Sequence, residues 1–215
     1  MAARNAFDAD LQSLSASLIT MGNFATQAVE QSIHALFTQD KTAAGHIIQE
    51  DDTLDEMEHN IEQLCLRLLL KQQPVASDLR KISTAIKMIT DIERIGDHAA
   101  DIAEITILLE IGVFPEIYED LKEMALTAQN MAKAAIQAYV DGNLALAQET
   151  RVIDDVVDAC FLKIRATLGE IIRTQPDKMN AAMDFLMIIK YLERVADHAE
   201  NICEWVEYYT TGEKV

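Results

Sequence analysis

The 215-residue chain carries 36 Asp and Glu against 18 Lys and Arg, a formal net charge of −18, which excludes nucleic acid as a partner because phosphate binding needs clustered cations. Half the residues are hydrophobic, with only seven Gly and three Pro, a composition that favours long helices over a turn-rich β protein. No apolar run reaches the roughly 18 residues of a membrane span, and MAARNAFDADLQ at the start lacks the apolar region of a signal peptide, so the expected location is the cytoplasm.

Taken in chain order, Leu11, Leu14, Leu18, Met21 and Ala25 step by three and four, the spacing of one helix face. Leu54, Met57, Ile61, Leu64 and Leu68 do the same. Two long helices are expected, divided near Gln39, Asp40 and Lys41, where neither Pro nor a well-placed Gly marks the boundary. The third opens at Pro74, offers Ser77 or Asp78 as its cap, turns Ile82, Ile89 and Ile92 inward and stops at Gly112. Pro115 starts the fourth, which runs to Asp141 and Gly142; the fifth covers roughly 144 to 174 and the sixth follows Pro176 to about 210.

Residues 92–104 and 192–204 agree at seven of thirteen positions, and Pro74 and Pro176 each follow a Gln. The expected fold is therefore all-α: two tandem antiparallel three-helix bundles produced by internal duplication, spanning 1–112 and 113–215, each with its own core. Cys65, Cys160 and Cys203 show no C-x-x-C spacing and read as buried thiols in a reducing compartment.

Acids line the edges of these apolar seams. The second helix has Asp51, Asp55, Glu58 and Glu62; the third Glu93, Asp97, Asp101 and Glu104; the fifth Asp154 and Asp158; the sixth Glu193, Asp197, Glu200 and Glu204. Solvated helix faces look similar, but between Lys41 and Arg67 seven acids stand with only His46 and His59 among them. Like charges four residues apart cost about 0.2–0.5 kcal/mol per pair, a cost that a bound cation offsets. Four i,i+4 pairs, Asp51/Asp55, Glu93/Asp97, Asp154/Asp158 and Glu193/Asp197, fall on the second or third helix of a bundle. Neighbouring helices would then bring four carboxylates to one groove in each bundle. Oxygen ligation suits Mg, Mn or Fe, not structural Zn.

His98 and His198 lie five residues beyond Glu93 and Glu193, turned about 140° from them on an ideal helix, and so are expected off the metal face. Arg94 and Arg194 share the histidine side, where pairing with acids of a neighbouring helix is expected. Glu56 and His59 form an E-x-x-H, but the fifth helix has no matching histidine, which counts against a di-iron oxidase. With no P-loop and no Cys/His nucleophile arrangement either, nothing demands an enzyme. Phe114 and Tyr118 near the mid-chain turn are candidate interface residues, and Trp205 is expected to pack in the core.

The stretch LLKQQPVASDLRKISTAIKMITDIERIGDHAADIAE, its QPVASDLR helix start and the twice-occurring E-R-x-x-D-H signature resemble the PhoU family along the whole chain. The resemblance implies a metal site at Asp51, Asp55, Glu93 and Asp97 and a second at Asp154, Asp158, Glu193 and Asp197. The family pattern E-x-x-x-D-x-x-x-N is kept by Asn201, whereas Asp101 replaces the Asn in the first copy and adds a carboxylate. It further implies a homodimeric cytoplasmic adaptor, peripheral to the membrane at most. Its role would be to couple a phosphate ABC transporter to a two-component sensor kinase, restraining uptake and the phosphate-starvation response. A carboxylate-bridged metalloenzyme and a plain helical scaffold are the alternatives.

Overall fold

The computed structural model describes residues 2–71, 76–110 and 112–212. Among them run six long helices and no strand: α1 (Ala2–Thr38), α2 (Lys41–Lys71), α3 (Ala76–Leu108), α4 (Tyr118–Asp141), α5 (Leu144–Thr174) and α6 (Met179–Thr211). The all-α expectation holds. Pro74, expected to open the third helix, lies outside the described residues.

The α1–α2 boundary is made without Pro or Gly. Gln39 takes a left-handed conformation, φ 54°, and Asp40 Oδ1 accepts hydrogen bonds from the backbone N–H of Thr42 and Ala43 at 3.1 and 3.0 Å, the work of an N-cap. Lys41 Nζ then donates to the carbonyls of Ile107 and Leu109 at 2.7 and 2.9 Å, satisfying orphan acceptors at the end of α3. There α3 stops at Leu108, short of the expected Gly112, because the following chain dives inward: Leu109 and Phe114 are buried, and the Phe114 ring lies 5.4 Å from that of Phe185. Phe114 is thus core, not interface. Pro115 does not begin α4 but a turn closed by Ile117 N–H on Phe114 O at 3.1 Å, and the helix follows at Tyr118. Gly142, φ 59°, ends α4 in the left-handed region that favours glycine, and Asn143 Oδ1 caps α5 through Leu146 N–H. Pro176 opens a single 3-10 turn before α6.

α1, α2 and α3 pack on one another, as do α4, α5 and α6; α3 also packs on α6 and α1 on α4. The result is a layer in the order α2, α3, α6, α5, backed by α1 and α4. Apolar side chains at the α3–α6 contact join what two separate bundles would bury, so one contiguous core takes residues from all six helices. All three cysteines are free and buried, and burial pushes the thiols of Cys65 and Cys203 up to about 11 and about 12. No helix among the described residues is long and apolar enough to cross a membrane.

Candidate metal centre

The apolar stripe of α2 turns Leu54 and Ile61 into the core, which leaves Asp51 and Asp55 beside the seam with α3. On α3, Ile92, Ile95 and Ala99 are buried, and Glu93 and Asp97 fall on the rim facing those acids. Gly96 makes the approach close: a Cβ there would collide with the Leu54 side chain of α2. One carboxylate oxygen each from Asp55, Glu93 and Asp97 lies within 4.8 Å of the others. Three of the four acids expected from α2 and α3 therefore converge, and Asp51 lies outside that trio.

The electrostatics reflect that crowding. Burial, then the charge of Asp97, pushes Glu93 up to about 7 against the opposing pull of Arg94, with Glu58 and Asp55 adding to the rise. Asp51 rises to about 6 through burial and the charges of Asp97, Asp55, Asp101 and Asp52. Asp97 is raised mainly by burial, with Arg94 working against it. Glu93 Oε2 is buried and accepts no hydrogen bond; its ionic contact with Arg94 Nε, at 3.3 Å, lacks hydrogen-bond geometry. Arg94 Nη1 donates to Asp97 Oδ2 at 2.8 Å. Arg94 thus pairs along its own helix, not across to a neighbour as its position had suggested, because Asp97 stands one turn ahead of it. Glu56 and His59 are both exposed, away from the core seam that a di-iron site would need.

The α5–α6 groove is built differently. Burial and the charges of Asp158, Glu200, Asp197 and Asp155 push Asp154 up to about 6, so these acids are neighbours. Among the described residues, however, no trio of ligand atoms as close as that of Asp55, Glu93 and Asp97 forms here. Arg151 reaches from α5 to Glu200, Glu204 and Glu207 of α6 at 3.3, 3.2 and 3.4 Å, and Lys190 pairs with Glu193. Sequence reading placed Glu200 in the acid row of the sixth helix but not in the site, and it passed over Arg151, Lys190 and Gly96. Arg151, one turn before Asp154 in a stretch rich in acids, was the available signal.

The two histidines meet between the grooves, at the α3–α6 contact. Their rings are 5.7 Å apart, and His98 also stacks on Tyr191 at 5.5 Å. His98 Nδ1 lies 3.2 Å from Asp101 Oδ2, which draws Asp101, the extra acid of the first copy, toward this contact; its charge still reaches Asp51 and Asp97. Burial is the main reason His98 is held below the usual histidine range. On the other side Asp91 of α3 meets three groups of α6: His198 Nδ1 at 2.9 Å, Asn201 Nδ2 at 3.2 Å and Trp205 Nε1 at 3.2 Å. Neither histidine joins the Asp55, Glu93, Asp97 trio.

Comparison with known proteins gives this architecture a family. The sequence model of the PhoU domain matches residues 18–106 and 121–206. A Clostridium acetobutylicum protein described as a phosphate-specific transport system accessory protein PhoU homolog is 38% identical over 213 residues, covering 99% of this chain and 97% of the relative. The crystal structure of PhoU from Pseudomonas aeruginosa superposes with a TM-score of 0.93 at 32% identity, over 96% of this chain and 100% of that one. The phosphate transport system regulatory protein PhoU from Streptococcus pneumoniae gives 0.87 at 31% identity, over 97% and 99%. With matches in both halves and along nearly the whole length, the chain belongs to the PhoU domain family.

Proposed function

We propose that this protein is an accessory regulator of phosphate transport that works by binding and not by turnover. In this reading it docks on the cytoplasmic side of a phosphate ABC transporter, communicates with a sensor kinase, and restrains uptake and the starvation response when phosphate is plentiful. The observation that carries it is full-length kinship with proteins named as phosphate-specific transport accessory proteins. The test is deletion in the host with a phosphate-responsive reporter: expression should rise in high phosphate, and unchanged repression contradicts the proposal. Recovery of transporter subunits from the membrane fraction with the tagged protein tests the docking arm separately.

The second element of the proposal is a hard or borderline divalent or trivalent cation, Mg, Mn or Fe, held by Asp55, Glu93 and Asp97, with Asp51 beside them. The donor set fits: the oxygens converge, Glu93 Oε2 is a buried acceptor without a donor, and burial together with the charge of neighbouring acids pushes Glu93 up to about 7 and Asp51 up to about 6. When bound, the ion supplies a fixed positive charge on an acidic surface, a place where an anion or an acidic partner group can approach.

A further inference from the structure

The two edge helices of the layer, α2 and α5, differ on the sides that face away from the core. In the register that sets Asp154 on Asp51, Val152, Val156, Ala159, Leu162 and Ala166 of α5 take the places of Gln49, Thr53, Glu56, His59 and Gln63 of α2. All ten are exposed. Polar side chains solvate the edge of the first repeat, whereas apolar ones stand in water on the second, where Val152 is 72% and Leu162 54% exposed. Their spacing of four, three, three and four residues makes one stripe of about four turns. α5 packs on α4 and α6, and among the described residues no helix covers the stripe. A single exposed Leu needs no explanation, but an apolar row on a helix whose duplicate is polar marks a surface that packs against something.

The charge pattern says what the partner is. On α5 the acids Glu149, Asp154, Asp155 and Asp158 precede Ala159, and the bases Lys163, Arg165 and Arg173 follow it. The two exceptions are engaged within the chain, Arg151 by acids of α6 and Glu170 by Arg173. A parallel second copy would set like charge on like, whereas an antiparallel one sets acid on base. With a two-fold axis at Ala159, the middle of the stripe, Val152 of each copy faces Ala166 of the other, Val156 faces Leu162, and Asp155 faces Lys163. Lys163 is 67% exposed, and Asp120 of α4 holds it on this flank at 2.7 Å. The small side chains of Ala159 and Ala166 let two helices approach closely. A face that complements itself is what closed two-fold symmetry requires.

We propose that the outward face of α5 is where two copies of this chain meet, antiparallel, with Ala159 on the two-fold axis. The Asp155–Lys163 contacts, made twice, offset part of the repulsion between two chains of net charge −18. A contact centred on one helix pair is small for a protein interface, so the dimer should dissociate at micromolar concentrations. The inference needs neither the metal nor the phosphate-transport reading.

Analytical ultracentrifugation of the full chain, from submicromolar to submillimolar, should show a reversible dimer. Val152→Lys/Val156→Lys should weaken it at least tenfold with unchanged circular dichroism, because both side chains are exposed. Met183→Lys, at an exposed apolar residue of α6, should leave it within threefold. Ala159→Cys tests the register: mild oxidation should give a disulfide-linked dimer, and Glu56→Cys at the matching position of α2 should not. The native cysteines are buried and do not compete. A chain that stays monomeric, a dimer that survives the paired lysines, or an Ala159→Cys dimer that does not cross-link each overturns the inference. So does a photo-crosslinker at residue 159 that captures another protein in host cells and no second copy, which assigns the face to that partner.

Discussion

Glu93 is the residue where the first groove is most sensitive to conditions. Its folded-state value of about 7 lies above the 4.5 of a free glutamate. Between those two values the folded chain retains a proton that the unfolded chain has released, so stability of the metal-free protein falls as pH rises from about 4.5 to about 7, then levels off for this group. Glu93→Gln mimics the protonated acid. At pH 8 without metal it should raise stability by about 1 kcal/mol, or about 2–4 °C in Tm, and flatten the slope between pH 5 and 7; thermal melts across pH check this. Metal competes with the same proton, so Mn2+ affinity of the unsubstituted chain should climb toward pH 7 and change little above it. A pH-independent affinity in titrations at pH 5.5 and 7.5 would count against Glu93 as a ligand.

Helix pairs set the geometry that these carboxylates need. α2 can lie close to α3 because residue 96 has no side chain, and Leu54 fills the space. Gly96→Ala should therefore cost about 1–3 kcal/mol through overpacking and weaken Mn2+ binding as well, since Asp97 follows directly and Asp55 is next to Leu54. A stability loss with unchanged Mn2+ affinity would show that the spacing of the two helices does not govern the site. Between the halves, Asp91 gathers three groups of α6 on one carboxylate that is only 13% exposed. Asp91→Ala should cost about 1–3 kcal/mol, the penalty for leaving partly buried donors unmade, measured by urea unfolding. Helical content at low urea should stay the same, because the α3–α6 contact is also held by buried Ile and Val side chains.

The whole molecule joins two copies of one unit through a shared core, so metal bound to one groove stabilises everything that unfolds with it. A ligand present at a hundred times its Kd adds about 2.7 kcal/mol, which corresponds to about 5–10 °C in Tm for a chain of this size. Mn2+ should give that shift for the full chain and none for Glu93→Gln/Asp97→Asn, whose circular dichroism should match the parent because these residues flank the seam and do not fill it. A collapse of helicity in that variant would make the acids structural.

Much of this was legible along the chain. Three-and-four spacing of Leu11 to Ala25 and Leu54 to Leu68 determines helices and their inward faces, because a 3.6-residue period leaves no other place for those side chains. Repetition of E-R-x-x-D-H revealed the duplication, and i,i+4 acids marked the rows that meet in the first groove. Local patterns could not say where α3 ends, since that depends on Lys41 reaching the carbonyls of Ile107 and Leu109 and on Phe114 finding Phe185. Nor could they place His98 beside His198, or show that Arg151 crosses to Glu200, Glu204 and Glu207. Those partners are separated by tens of residues and come together through helix packing. A helix period fixes the face on which a charge sits, but the charge it meets is set by which other helix lies there and how closely, and at residue 96 that closeness turns on the absence of one methyl group.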